Sequence, residues 1–249
     1  MSLVKLFFRL IYAVLLSPFL ARAASKDRVL HRKLIRPLLQ GPFEGDLLDD
    51  IWQLVYRLED GELDNEAFIT QVAEVMKAAV SNGQLDAWLT KPIADDENVD
   101  ITLKRALFYV PFKRWYLKLH FMAPGNIHKP HGHRDVLSTQ VIARGQMAVQ
   151  EFDLVGDLHT NPTTLRVCRD EVVGPLASIT TTDKLRNVHG FQPHNGSVVR
   201  FQFYLRGQAG IMAALFPKRG RLYVEPLWET RNADTVQANL GRAGRPGES

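Results

Sequence analysis

The sequence predicts a mainly β fold carrying an α-helical N-terminal segment. Apolar stripes at helical spacing lie before Asp100, and after it the pattern changes to short runs of β-favouring residues. Gly, Pro, Asn and Asp punctuate those runs at short intervals, as in an antiparallel sandwich or barrel. No helix-length stripe interrupts them, which argues against a parallel βαβ architecture.

Length and composition bound the rest. A chain of 249 residues holds one large domain, or a domain with a helical appendage. With 45% apolar and 23% charged residues it is neither disordered nor fibrous. The formal charge of +4 is modest, and much of the surplus sits before residue 40. No element makes a convincing face of Lys and Arg interleaved with aromatic residues, so no nucleic-acid partner is expected. The single cysteine, Cys168, leaves no internal disulfide and no cysteine-rich zinc site. That fits a reducing compartment without excluding export.

Residues 1–24 read as a signal peptide or a membrane-associating segment. Lys5 and Arg9 precede an apolar run from Leu10 to Leu20, and Ala21-Arg22-Ala23 resembles a signal-peptidase site. The run is short of the roughly 20 apolar residues of a spanning helix. Arg22, Lys26, Arg28, Arg32, Lys33 and Arg36 follow it, and downstream positive charge opposes translocation. A cleaved signal for an exported or periplasmic protein, a retained helix lying on an anionic membrane surface, and a buried N-terminal helix all remain open.

Residues 25–100 read as a helical region packed on the barrel. Between residues 46 and 58, Leu47, Leu48, Ile51, Trp52, Leu54, Val55 and Leu58 form one stripe, ended by Gly61. Between residues 66 and 80, Phe68, Val72, Val75, Met76 and Ala79 share a second face, stopped at Asn82-Gly83. Both stripes face the core. Asp95, Asp96 and Glu97 make a solvated acidic loop.

Residues 101–228 read as the barrel. Its expected strands are 107–112, 115–122, 137–143, 147–152, 165–167, 178–182, 198–205, 211–216 and 222–224. Within residues 229–249, a short helix is expected over 234–240 and a mobile Gly/Arg-rich tail after Gly241.

The stretch from Gly125 to Gly145 carries the chemistry. His131 and His133 stand one residue apart, a spacing that turns both imidazoles to one face of an extended strand. Neutral imidazole is the commonest protein ligand for divalent transition metals. A third can come from a distant strand. His194 falls in a Pro-His-Asn-Gly turn and is expected exposed, while His128 and His159 fall in loops. His120, on a strand, is expected to be a packed, hydrogen-bonded imidazole.

Gly125, His131, His133 and Gly145 together resemble the first signature of the cupin superfamily, with Ser138 where that signature has Glu. The resemblance implies a double-stranded β-helix barrel holding one divalent metal on His131, His133 and His189. Three histidines without a carboxylate resemble the thiol dioxygenase, or cysteine dioxygenase, type of cupin, in which a small residue likewise replaces the Glu. That likeness implies Fe(II), molecular oxygen and a small thiol or carboxylate substrate. It also implies Tyr204 near the metal and Arg105 as a carboxylate anchor. Here Arg200, Gln202 and Tyr204 alternate on a late strand where that family carries Ser, His and Tyr. Asn187-Val188-His189 is also similar to the related amine-thiol oxidases.

The physical reading runs parallel. Three neutral imidazoles leave a metal its full positive charge and a vacant face, where a thiol loses its proton. Zinc, nickel and manganese accept the same donors. Arg200, costly to bury alone, either reaches solvent, pairs with a protein carboxylate or binds a substrate anion. Gln140 shares the strand face of Ser138 and is a further cavity-lining candidate. Two other readings stand beside this one. His133, Asp135 and His189, with Arg200, resemble a 2-oxoglutarate oxygenase triad. A non-enzymatic barrel that binds a small molecule or a partner is the third.

Overall fold

In a computed structural model, the described residues are 39–40, 43, 45–90, 98–108, 113–133, 136–156, 160–182, 186–206 and 222–241. The N-terminal segment, the acidic loop at 95–97, the expected strand 211–216 and the tail after Gly241 lie outside them. No helix among the described residues is long and apolar enough to cross a membrane.

Two helices form where the apolar stripes predict them. Helix α1, Asp46–Glu59, buries Leu47, Leu48, Ile51, Trp52, Leu54, Val55 and Tyr56 along one side. Helix α2, Asn65–Ser81, buries Phe68, Ile69, Val72, Ala73, Met76 and Ala79. Asp64 caps α2, its carboxylate accepting the Ala67 N–H at 2.7 Å. A single turn, α3, Asp86–Leu89, follows.

The strands are β1, Leu39–Gln40, β2, Val99–Phe108, β3, Lys113–Met122, β4, His128–Gly132, and β5, Val136–Leu154. After them come β6, Thr163–Val173, β7, Ser178–Thr181, β8, Val188–Arg206, β9, Leu222–Asn232, and β10, Thr235–Gly241. All the pairings are antiparallel. The long strands β5 and β8 pair from Val136 opposite Arg206 to Phe152 opposite Val188, making one two-stranded ribbon. Around one end of that ribbon β8 pairs β4, β4 pairs β9, β9 pairs β10, β10 pairs β6 and β6 pairs β5, which closes a ring. At the other end β3, β2 and β1 extend the sheet from β8, and β7 lines β5. The result is a mainly β barrel of the double-stranded β-helix type, with its helices N-terminal.

The expected strands 137–143 and 147–152 are thus halves of one strand, joined through Gly145. Gly145 has φ +83°, and a Cβ there would lie 2.4 Å from the Ser197 carbonyl oxygen. Only glycine lets β5 turn this closely over β8.

The expected helix over 234–240 is corrected: Asp234 lies in a turn and residues 235–240 in β10, with Val236 and Ala238 buried and Thr235, Gln237 and Asn239 alternating with them. That alternation has the period of a strand, and pairing to β6 and β9 buries one side of it. The β region therefore runs past residue 228 to Gly241.

The helices cover one side of the β3–β8–β5 sheet. Phe68 of α2 meets Phe203 of β8 edge-on at 5.9 Å, and Trp52 of α1 meets Trp115 of β3 at 5.4 Å. Phe201, Phe203 and Leu205 belong to this core. Since strand residues alternate, Arg200, Gln202 and Tyr204 face the other way, into the barrel.

Candidate metal centre

The three histidines converge. His131 near the end of β4 is the register partner of His189 on β8. Residues so paired hold their side chains on one face. His133 lies just beyond β4, tied by its N–H to the Asn187 carbonyl at 3.3 Å. The ring centroids stand 4.8 Å apart for His131 and His133, 5.1 Å for His131 and His189, and 5.0 Å for His133 and His189. One ligand atom from each lies within 4.8 Å of the others, and no Asp, Glu or Cys of the described residues joins them. Nitrogens sharing a cation at about 2.1 Å stand at most about 4.2 Å apart, so small ring rotations suffice. His131 and His189 are 3% and 1% exposed, while His133 is half-buried at the open side.

The surrounding hydrogen bonds suit a metal. His131 Nδ1 donates to the Lys129 carbonyl at 2.8 Å. A carbonyl only accepts, so Nδ1 carries the proton and the neutral ring presents its lone pair at Nε2. His189 Nδ1 meets the Thr181 hydroxyl of β7 at 2.9 Å. Each ring is thereby oriented through the nitrogen turned away from the centre, as in known metal sites. The donor set therefore fits a divalent transition metal, and the three histidines could hold one.

A polar row lines the neighbouring wall. Arg200, 2% exposed, donates from Nη1 to Gln140 Oε1 at 2.7 Å. Gln202 Nε2 donates to the same oxygen at 3.0 Å, and the Tyr204 hydroxyl donates to Gln202 Oε1 at 3.4 Å. Phe191 joins this row to the histidines, its ring 4.9 Å from the Arg200 guanidinium and 4.6 Å from His189. Ser138 is fully buried, opposite Tyr204 on one side and Thr181 on the other. Its hydroxyl has no hydrogen-bond partner among the described residues.

The structure therefore gathers His131, His133, His189, Arg200, Gln140, Ser138 and Tyr204 in one interior. Arg200 is buried rather than solvent-facing. Arg105 sits on β2 opposite Tyr116, and its side chain lies outside the described residues, as do Asp135 and His159. His194 is exposed, as expected, but stands in β8 rather than in a turn.

The sequence pattern misses Thr181, Glu151 and the partner of His120, a residue itself expected to be a packed, hydrogen-bonded imidazole. Thr181 orients His189 from a strand that only register identifies. Glu151, 1% exposed, stands opposite His189 and pairs with Arg169 at 3.2 Å. Burial pushes its carboxyl above the usual range, against the pull of Arg169. His120 bonds Asp100 across β2 and β3. None stands at a telling spacing along the chain.

No family model matches the chain, and no curated protein does. Its neighbours among solved structures are cupin-superfamily proteins. KdgF from a Halomonas species shares 9% identity over 47% of this chain and 84% of that one, with a TM-score of 0.31. A cupin superfamily protein from Desulfitobacterium hafniense shares 10%, over 47% and 84% of the two chains, at 0.31. An uncharacterized Klebsiella pneumoniae protein with a double-stranded β-helix domain shares 13%, over 51% and 90%, at 0.33. Likeness at this level says nothing of activity, and the barrel is defined by its own strand pairing.

Proposed function

We propose that the protein is an iron(II)-dependent dioxygenase acting on a small thiol or related anionic molecule at His131, His133 and His189. The observation that carries this reading is the convergence of three imidazoles, without a carboxylate, inside the barrel. Bound iron(II) supplies Lewis acidity toward a thiol and electrons for dioxygen.

The chain's own residues do the rest. His131 and His189, fixed through Lys129 and Thr181, hold the centre on two neighbouring strands. His133 completes it at the open side. Phe191 and the buried apolar side chains around it keep water from the interior. Arg200 offers a cation to a substrate carboxylate in a setting where charge is poorly screened. Arg105 is the second candidate anchor. Tyr204, restrained by stacking on Tyr116 at 5.0 Å, orients the bound molecule through its hydroxyl.

The test is oxygen uptake by iron-loaded protein with a panel of small thiols, and in parallel with 2-oxoglutarate. The expected result is uptake with a thiol and no succinate. Succinate formation, with metal lost in Asp135→Asn, supports the two-histidine triad instead. A full metal site with no turnover supports a small-molecule or partner-binding module.

A further inference from the structure

The barrel holds a second titratable pair that the metal centre does not use. His120 on β3 is 9% exposed and lies in register between Asp100 of β2 and Arg200 of β8. Residues in register share a face, so its ring belongs to the interior wall of Arg200, Gln202 and Tyr204. His120 Nδ1 bonds one oxygen of the Asp100 carboxylate, and Lys118 Nζ meets the other at 2.8 Å. An ionised carboxylate has no proton to give. Nδ1 therefore carries the hydrogen, and the neutral ring has its lone pair at Nε2. That Nε2 is buried and has no hydrogen-bond partner among the described residues.

The groups facing the ring come from each packed element: Asp100 from β2, Lys118 from β3, Arg200 from β8 and His128 from β4. The His128 ring meets His120 edge-on at 5.5 Å. Phe191 touches His128 at 6.5 Å and continues to Arg200 and His189. Burial lowers the imidazole's proton affinity, and the Arg200 charge adds to this, against the support of Asp100. The ring is thus neutral at ordinary pH, an acceptor without a donor among the described residues. A structural pair needs only the Nδ1 bond, and leaving the other nitrogen bare in the interior is costly.

We propose that Asp100 and His120 are an acid–base dyad serving the barrel interior, in which Nε2 takes the proton of a small thiol-bearing anion held by Arg200. This rests on the reading that such a molecule binds beside the three histidines. The S–H bond breaks, its electron pair stays on sulfur, and an N–H bond forms at Nε2. The resulting imidazolium is balanced by the Asp100 carboxylate. The imidazolium keeps that proton while the molecule is bound, its Nδ1–H held by the Asp100 carboxylate, whose side chain is 50% exposed. The pair spans the wall from interior to solvent.

Long-range proton–nitrogen NMR on histidine-labelled, metal-free full-length protein reads the His120 tautomer and its titration. The expected neutral ring is protonated at Nδ1 and titrates below an ordinary histidine. Asp100→Asn moves that titration lower still. A neutral ring protonated at Nε2, or one still charged at mildly alkaline pH, overturns the proposal. A second measurement follows thioglycolate binding to the zinc-loaded protein by calorimetry, in buffers of differing ionisation heat. His120→Gln is expected to release roughly one more proton per ligand than the wild type. Equal release overturns the dyad. Failure of thioglycolate to bind counts against the thiol reading of the site, and the dyad then stands or falls on the tautomer.

Discussion

Thr181 does for His189 what the Lys129 carbonyl does for His131: it fixes the ring through Nδ1. Removing such a partner typically costs about 10–100-fold in metal affinity. Thr181→Val keeps the shape and loses the hydroxyl, so it is expected to weaken metal binding by roughly that factor. Competition with a chromophoric chelator measures it, with Thr181→Ser as the rescue. Asp100 carries a pH signature. Burial pushes its carboxyl up, but the bonds from His120 and Lys118 outweigh this and hold it well below the usual carboxylate range. A carboxyl depressed in the folded state stabilises above its unfolded value near 4 and loses that contribution as pH falls further. Asp100→Asn is therefore expected to lower the denaturant midpoint at neutral pH and to flatten its fall in acid. Equal slopes for the two proteins contradict this. His131 and His133 were legible as candidates because an H-x-H spacing is a local property, and His189 only through the likeness to a family signature. Partners were not legible: Thr181 reaches His189, and Asp100 reaches His120, only in the folded sheet.

At the scale of elements, the ribbon of β5 and β8 depends on a single close approach. Gly145→Ala places a methyl against the Ser197 carbonyl at a φ of +83°. The expected loss is more than about 1 kcal/mol, read from urea unfolding. An unchanged midpoint shows that the bend can relax. Helices α1 and α2 were readable because their apolar residues keep a 3.6 period and pack against Phe203 and Trp115. Strand β10 was misread, although Val236, Ala238 and Leu240 recur every second residue, which is the strand signal. The first half of β8 was missed because Pro193, His194, Asn195 and Gly196 read as a turn. Their backbone is held in the ladder by β5 alongside, a long-range pairing that propensity does not register.

For the whole molecule, the double-stranded β-helix brings strands far apart in the chain to one interior. One face of the β3–β8–β5 sheet is apolar beneath the helices, and the other carries Arg200, Gln140, Gln202 and Tyr204. The small charged ligand of the proposed function requires such a polar face. The central claim is nonetheless the convergence of three rings upon one cation. Elemental analysis of protein purified without added metal, on the wild type and on His131→Ala, His133→Ala and His189→Ala, tests it most directly. The account predicts about one divalent metal per wild-type chain and its loss from each variant, with the fold retained by circular dichroism. A wild type that takes up no metal even when supplied with it, or a His189→Ala variant that keeps its metal, contradicts it.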